Sequence, residues 1–81
     1  MNTTNMGRQK EEPLYNRIES VRQARGLSRQ QLADAVGVHY QTIGYLERGE
    51  YSPSLTLALR LAEVLGHGVQ DLFSIQPFHT N

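Results

Sequence analysis

Polar side chains suited to specific hydrogen bonding cluster in one short segment near the middle of the chain. Ile43 and Leu46 are three positions apart, so in a helix they share the buried face. The opposite face then carries three side chains that can bind base edges or phosphates: Gln41, Tyr45 and Arg48. A glutamine amide can pair with adenine, a tyrosine offers a hydroxyl and a ring for thymine methyls, and an arginine at the helix end suits a phosphate. The segment is therefore predicted to be a helix that reads DNA.

Gly44 lies on the same outward face, with Tyr40 and Thr42 at its flanks. A glycine inside a helix costs about 1 kcal/mol relative to alanine. Two interpretations stay open. The missing side chain lets the helix backbone lie close to a DNA groove, or an exposed position simply tolerates glycine.

Apolar periodicity, capping residues and glycines predict five helices that position this segment. Their expected ranges are about 14–25, 29–36, 40–48, 53–65 and 69–73. Ser28 and Gln31 form a predicted capping box at the start of the second helix. The fourth helix begins near residues 52–54, where a serine caps it and Pro53 fits the first turn. Its predicted buried face consists of Leu55, Ala58, Leu59, Ala62 and Leu65.

The second and third helices are joined by two residues at most, Gly37 and Val38, so they must cross steeply. Ala33 lies at the predicted crossing, where a larger side chain would hold the helices apart. Gly37 can adopt a positive φ and reverse the chain. This spacing, with Ile43 and Leu46 fixing the third helix to the core, predicts a helix-turn-helix.

Composition limits the other functions. The chain of 81 residues has no cysteine, and its formal net charge is zero, which is unusual for a nucleic-acid-binding protein. However, residues 1–49 hold seven of the eight basic residues and five of the eight acidic ones. His39, His67 and His79 lack metal-ligand spacing, and the serines at helix starts are explained by capping. We expect no enzymatic activity, cofactor, metal, small-molecule ligand or membrane span, and a cytoplasmic location.

Residues 16–75 resemble the Cro/C1-type helix-turn-helix family, also called XRE or phage-repressor-like. The resemblance is greatest to short single-domain dimeric repressors of the cytolysin-repressor type and to restriction–modification controller proteins. Seven stretches carry it: Arg22-x-x-Arg25-Gly26-Leu27-Ser28, Gln31-Leu32-Ala33, Val36-Gly37-Val38, Gln41-Thr42-Ile43, Leu46-Glu47-Arg48-Gly49, Pro53-Ser54-Leu55 and Asp71-Leu72-Phe73.

The resemblance implies an all-α, five-helix lambda-repressor-like domain and assigns site residues by position. A short β pairing of residues 14–16 with residues 73–76 is implied too. The implied base contacts are His39, Tyr40, Gln41 and Tyr45, and the implied phosphate contacts are Ser28, Arg29, Thr42 and Arg48. The chain departs from the family at Arg29, usually glutamine, at His39, usually a small hydroxyl residue, and at Tyr40, often arginine. These departures leave the operator sequence undetermined.

The chain is predicted to contain a disordered arm (residues 1–12), the helix-turn-helix domain (13–76) and a C-terminal tail (77–81). Four large apolar residues within seven positions predict a homodimer interface: Leu72, Phe73, Ile75 and Phe78. A dimer would bind an inverted-repeat operator on double-stranded DNA. Two functions follow as hypotheses: a dimeric repressor of its own or a neighbouring promoter, or an antitoxin-like protein-interaction module, which the neutral charge favours.

Overall fold

The protein folds into five helices and a two-stranded ribbon. A computed structural model describes residues 13–79, so the predicted N-terminal arm and the last two residues of the predicted tail lie outside the described residues. The elements are β1 (Tyr15–Asn16), α1 (Ile18–Ala24), α2 (Arg29–Val36), α3 (Tyr40–Glu47), α4 (Leu55–Leu65), α5 (Val69–Leu72) and β2 (Phe73–Ser74). The predicted five-helix class is confirmed. Within residues 13–79, no helix has both the length and the apolar character to cross a membrane.

The two ends of the domain are joined by the antiparallel pairing of β1 with β2. Tyr15 is paired with Ser74 and Asn16 with Phe73, which confirms the β pairing implied by the resemblance. The first helix therefore begins at Ile18, and the predicted start near Leu14 is wrong. The spacing of Leu14 and Ile18 fits a helix, but the main chain of residues 15–16 bonds to a strand more than 50 positions away.

One apolar core, formed by α1 to α5, supports α3. Its members are Ile18, Leu32, Ala33, Val36, Ile43, Leu46, Leu57, Leu61, Ala62, Leu65 and Leu72. Ala33, Ile43 and Leu46, which the sequence analysis placed inward, are all among them. Burying these side chains removes apolar surface from water, which is the main force holding so small a domain together.

The buried face of α4 differs from the prediction. Leu57 and Leu61 face the core, whereas Leu55 and Leu59 are 69% and 53% exposed. Eight of the eleven residues of α4 are apolar, so its periodicity allows more than one buried stripe. The cap of α4 is Ser54, whose Oγ accepts the Leu57 N–H at 3.1 Å.

The apolar C-terminal segment also differs in part from the predicted interface. Leu72 is completely buried in the core of its own chain, and its contact with a partner stays a prediction. Phe73 is half-buried against the same core. Phe78 is half-buried, and its ring lies 4.5 Å from the Arg17 guanidinium of the same chain. Ile75, 60% exposed, remains the most accessible member of this set.

Candidate nucleic-acid interface

The turn between α2 and α3 fixes how α3 is presented. The Ser28 Oγ accepts the Gln31 N–H at 3.0 Å, and the Gln31 side chain accepts the Ser28 N–H at 2.8 Å, as the predicted capping box requires. Gly37 ends α2 with φ +80° and donates its N–H to the Ala33 carbonyl oxygen at 2.8 Å. A residue with a Cβ is strained at that φ, which explains the glycine. Three residues, 37–39, separate the two helices, one more than predicted, because His39 is the cap of α3 and not its first residue.

His39 caps the N-terminus of α3, a role that its sequence position alone did not assign. Its Nδ1 accepts the Gln41 N–H at 3.1 Å, satisfying one of the free amides of the first turn. In this state the proton lies on Nε2, which stays available as a donor. The imidazole also stacks on the Tyr40 ring, with centroids 4.8 Å apart. The small hydroxyl residue usual at this position is itself a capping type, and that was the available signal.

Most of the predicted reading residues come together on the outward side of α3. Tyr40, Gln41 and Tyr45 are exposed, and His39 lies beside Tyr40. Tyr40, Gln41 and Tyr45 border a shallow cleft of about 210 Å³. The cleft is lined by Arg29, Tyr40, Gln41, Gly44, Tyr45 and Arg48. Amide, hydroxyl and guanidinium groups thus face one concave surface, as binding to base edges and phosphates requires.

Arg48 lies across the middle of this face rather than off the helix end. Its Nη1 is 3.3 Å from the point where a Cβ on Gly44 would stand, and its guanidinium lies 5.2 Å from the Tyr45 ring centroid. Its Nε donates to the Glu50 carboxylate at 3.2 Å. Gly44 is consequently buried beneath Arg48, which neither sequence-based interpretation of this glycine anticipated.

A buried ion pair, which sequence reasoning missed, connects α3 to α1 and α2. The side chain of Glu47 is 1% exposed. Its carboxylate accepts hydrogen bonds from the Arg22 Nε at 2.6 Å and from the Arg29 Nε at 2.8 Å. The Arg22 Nη1 also donates to the Leu27 carbonyl oxygen at 2.9 Å. The hydrogen bond to Glu47 and its charge raise the pKa of Arg29 above its usual value. Arg22 and Glu47 both occur in the stretches that carry the family resemblance, and this was the available signal.

The predicted phosphate contacts differ in their surroundings. The Ser28 Oγ is occupied as an acceptor, but a hydroxyl keeps its own proton for donation. The Arg29 guanidinium is 44% exposed although it binds Glu47. Thr42 is half-buried within α3. Of these three residues, Arg29 lines the cleft. Ser28 is the cap before α2, and Thr42 lies in the first turn of α3.

Asn16 fixes the other end of α3. Its Nδ2 donates to the Leu46 carbonyl oxygen at 2.9 Å, and its Oδ1 accepts the Ile18 N–H at 3.0 Å. One side chain thus connects β1, the start of α1 and the last turn of α3. Asn16, His39 and Glu47 together hold both ends of α3, the helix that forms most of the cleft.

Known proteins share this architecture. A profile of the family HTH_3, described as helix-turn-helix, matches residues 18–72. An uncharacterised HTH-type transcriptional regulator of Archaeoglobus fulgidus is 44% identical over 60 residues, which span 74% of this chain and 86% of the relative. Another, from Methanothermobacter thermautotrophicus, is 49% identical over 57 residues, spanning 69% of this chain and 83% of the relative.

A solved structure agrees with the sequence relatives. The restriction-modification controller protein C.AhdI of Aeromonas hydrophila superposes with a TM-score of 0.63 at 33% identity, covering 67% of this chain and 82% of that one. The profile and both relatives cover more than two thirds of the chain. On this evidence the chain belongs to the Cro/C1-type helix-turn-helix family of DNA-binding transcriptional regulators.

Proposed function

We propose that the protein is a dimeric repressor, which inserts α3 into the major groove at each half of an inverted-repeat operator. The observation that carries this proposal is the outward face of α3, where polar and aromatic side chains are exposed on a helix that is capped, ion-paired and packed. A rigid helix presents base-reading groups without a large loss of conformational entropy on binding. The promoter of its own or a neighbouring gene is the proposed location of the operator.

Base recognition is assigned to the residues around the cleft. Gln41 takes the central role, because its amide can both donate to and accept from one adenine. Tyr40 and Tyr45 flank it, and His39 has its Nε2–H free while Nδ1 caps the helix. Ser28, Arg29 and Thr42 provide the phosphate contacts, helped by the free amides at the start of α2. These contacts set the orientation of the domain, and the base contacts supply specificity.

A second copy of the chain is the proposed partner. One recognition helix reads few base pairs, whereas a two-fold dimer places two such helices about 34–36 Å apart, one turn of DNA. Leu55 and Leu59 lie one turn apart on α4 and are exposed, and we call these two residues the α4 stripe. Exposed leucines at helical spacing support an interface on this stripe rather than at the buried Leu72. Bound across a promoter, such a dimer would exclude polymerase by occupancy.

A gel shift with the DNA upstream of the protein's own gene tests this proposal. We expect binding at about 10 nM or tighter in the presence of excess random DNA, as is typical of specific regulators. A variant with Tyr40, Gln41 and Tyr45 replaced by alanine should lose the specific complex. Gln23→Ala, an exposed change on α1, serves as the control and should bind normally. Equal affinity for the upstream and random DNA would contradict sequence-specific regulation of this promoter.

A further inference from the structure

The guanidinium of Arg48 is held in place on three sides. Gly44 lies beneath it, the Tyr45 ring lies beside it, and the Glu50 carboxylate accepts its Nε–H. Among the described residues, its two terminal nitrogens have no hydrogen-bond partner. Arg29, the other arginine lining the cleft, is instead bound to Glu47. Arg48 thus presents two oriented terminal nitrogens, available to donate hydrogen bonds, in the middle of the outward face of α3.

We propose that Arg48 is a specificity-determining residue that reads a guanine in each half-site of the operator. This inference rests on the proposed function of α3 and names a base that this helix recognises. The planar fork of arginine matches the O6 and N7 acceptors of guanine, which lie side by side in the major groove. With Nε engaged by Glu50, both terminal N–H groups remain to form that pair.

Glu50 argues against a simple phosphate contact. Its carboxylate lies 3.2 Å from the Arg48 Nε and is half exposed, so it would repel an approaching phosphate. Guanine carries no net charge, so its O6 and N7 acceptors meet a weaker repulsion from Glu50 than a phosphate would. The ion pair also reduces the net positive charge available at this point. Glu50 therefore orients the arginine for a base edge while weakening its attraction for the backbone.

Gly44 leaves the space in which the Arg48 guanidinium lies across the middle of the outward face of α3. Helical side chains lean toward the N-terminus, so Arg48 extends over the residue four positions before it. A methyl group on residue 44 would stand 3.3 Å from Nη1, so the guanidinium would have to shift by a few tenths of an ångström. Gly44 has no positive φ, so the backbone does not require glycine there. Its role is to leave space for Arg48.

Selection from a pool of random-sequence duplexes tests this inference. The wild-type protein should enrich an inverted repeat with one invariant guanine per half-site. Replacing that guanine by adenine or by 7-deazaguanine should weaken binding about 5-fold to 150-fold per half-site, the range for loss of a bidentate pair. For Arg48→Ala, the guanine and 7-deazaguanine operators should bind equally well. Gln23→Ala should retain the full discrimination.

Gly44→Ala separates reading from folding. Alanine favours the helix, and the atom it meets is the end of a flexible side chain, so the thermal midpoint should not fall. The discrimination between guanine and 7-deazaguanine should nevertheless shrink.

A phosphate role for Arg48 would overturn the inference. Arg48→Ala would then weaken all sequences alike, reduce the salt slope by about 0.9 per lost contact, and leave the guanine preference intact. Enrichment of no sequence by the wild-type protein would refute the proposed function itself. Enrichment of a repeat without an Arg48-dependent guanine would refute only this inference.

Discussion

At the scale of single residues, Gln41 is the side chain on which the proposed recognition of bases depends most. It is exposed at the first turn of α3 and lines the cleft. Gln41→Ala should weaken operator binding by about 1–3 kcal/mol per half-site, since the paired contact with adenine is lost. Binding to random DNA should hardly change, because the substitution removes no charge.

Fluorescence anisotropy with labelled operator and scrambled duplexes measures both affinities. Gln23→Ala provides the matched control, since it also removes an exposed glutamine but from α1. Unchanged operator affinity in Gln41→Ala would show that the assigned reading face is incorrect.

His39 combines a structural role with an assigned base contact, and two substitutions separate them. His39→Ala removes the cap of α3 and should lower the free energy of unfolding by about 1 kcal/mol. His39→Ser should retain stability, because a serine Oγ also caps helices well. Urea unfolding followed by circular dichroism suits this chain, which has no tryptophan. If the imidazole also contacts DNA, His39→Ser will be stable but will bind the operator less tightly.

At the scale of elements, the Arg22–Glu47 ion pair holds α3 against α1. Both side chains are almost fully buried, at 8% and 1% exposure. Glu47→Ala should lower the free energy of unfolding by about 3–5 kcal/mol, because it leaves a buried arginine unpaired. Urea unfolding in parallel with Glu50→Ala gives the comparison. The exposed Arg48–Glu50 pair should contribute no more than about 1 kcal/mol. If both variants lose the same free energy of unfolding, burial does not make the Arg22–Glu47 pair more important for stability than the exposed pair.

The helix-turn-helix was predictable because its signals are local. Ser28 and Gln31 cap α2 by bonding to each other, and Gly37 ends it by bonding to Ala33, so each contact joins residues only a few positions apart. The core residues of α2 and α3 followed from a single apolar stripe on each helix. The ranges of these two elements therefore agreed with the structure to within one residue.

The errors arose where the deciding contact is distant in sequence. The start of α1 was misplaced because residues 15–16 pair with residues 73–74. Leu55 and Leu59 were wrongly assigned to the buried face of α4, because a helix that is apolar almost all round carries two candidate stripes. Glu47 was missed because a charged residue is usually exposed, and its partner Arg22 lies 25 positions away. The sequence analysis also placed Arg48 at the helix end, because the residue type alone does not show that its side chain lies over Gly44.

At the scale of the whole molecule, the charge distribution predicts how binding responds to salt. The formal net charge of the chain is zero. Each of the two arginines that line the cleft is paired with a carboxylate. Few unpaired cations line the cleft among residues 13–79, so we expect counterion release to be small. We expect a slope of log K against log salt shallower than the value near −10 of a repressor that makes many phosphate contacts. Affinities measured over a series of potassium chloride concentrations give this slope, and a slope near −10 would show that other cations contact the backbone.

The oligomeric state is the remaining property of the whole molecule, and the α4 stripe makes it testable. We expect the wild-type chain to sediment as a dimer at micromolar concentration. Two leucines that are 69% and 53% exposed gain stability when a second copy covers them. Leu55→Asp combined with Leu59→Asp should yield the mass of one chain, because an interface cannot accommodate four unpaired carboxylates per dimer. The fold should survive, since neither leucine belongs to the core.

Ile75→Asp serves as the second arm, because Ile75 is 60% exposed on the segment that the sequence analysis assigned to the interface. If Ile75→Asp alone dissociates the dimer, the interface lies at the C-terminal segment and the α4 stripe does not form it. A monomeric wild-type chain would refute the dimer altogether. The monomeric stripe variant should also bind an inverted repeat at least about 100-fold more weakly than wild type, since joining two half-site contacts in one dimer adds that much avidity. Its affinity for a single half-site should stay the same, because α3 is untouched.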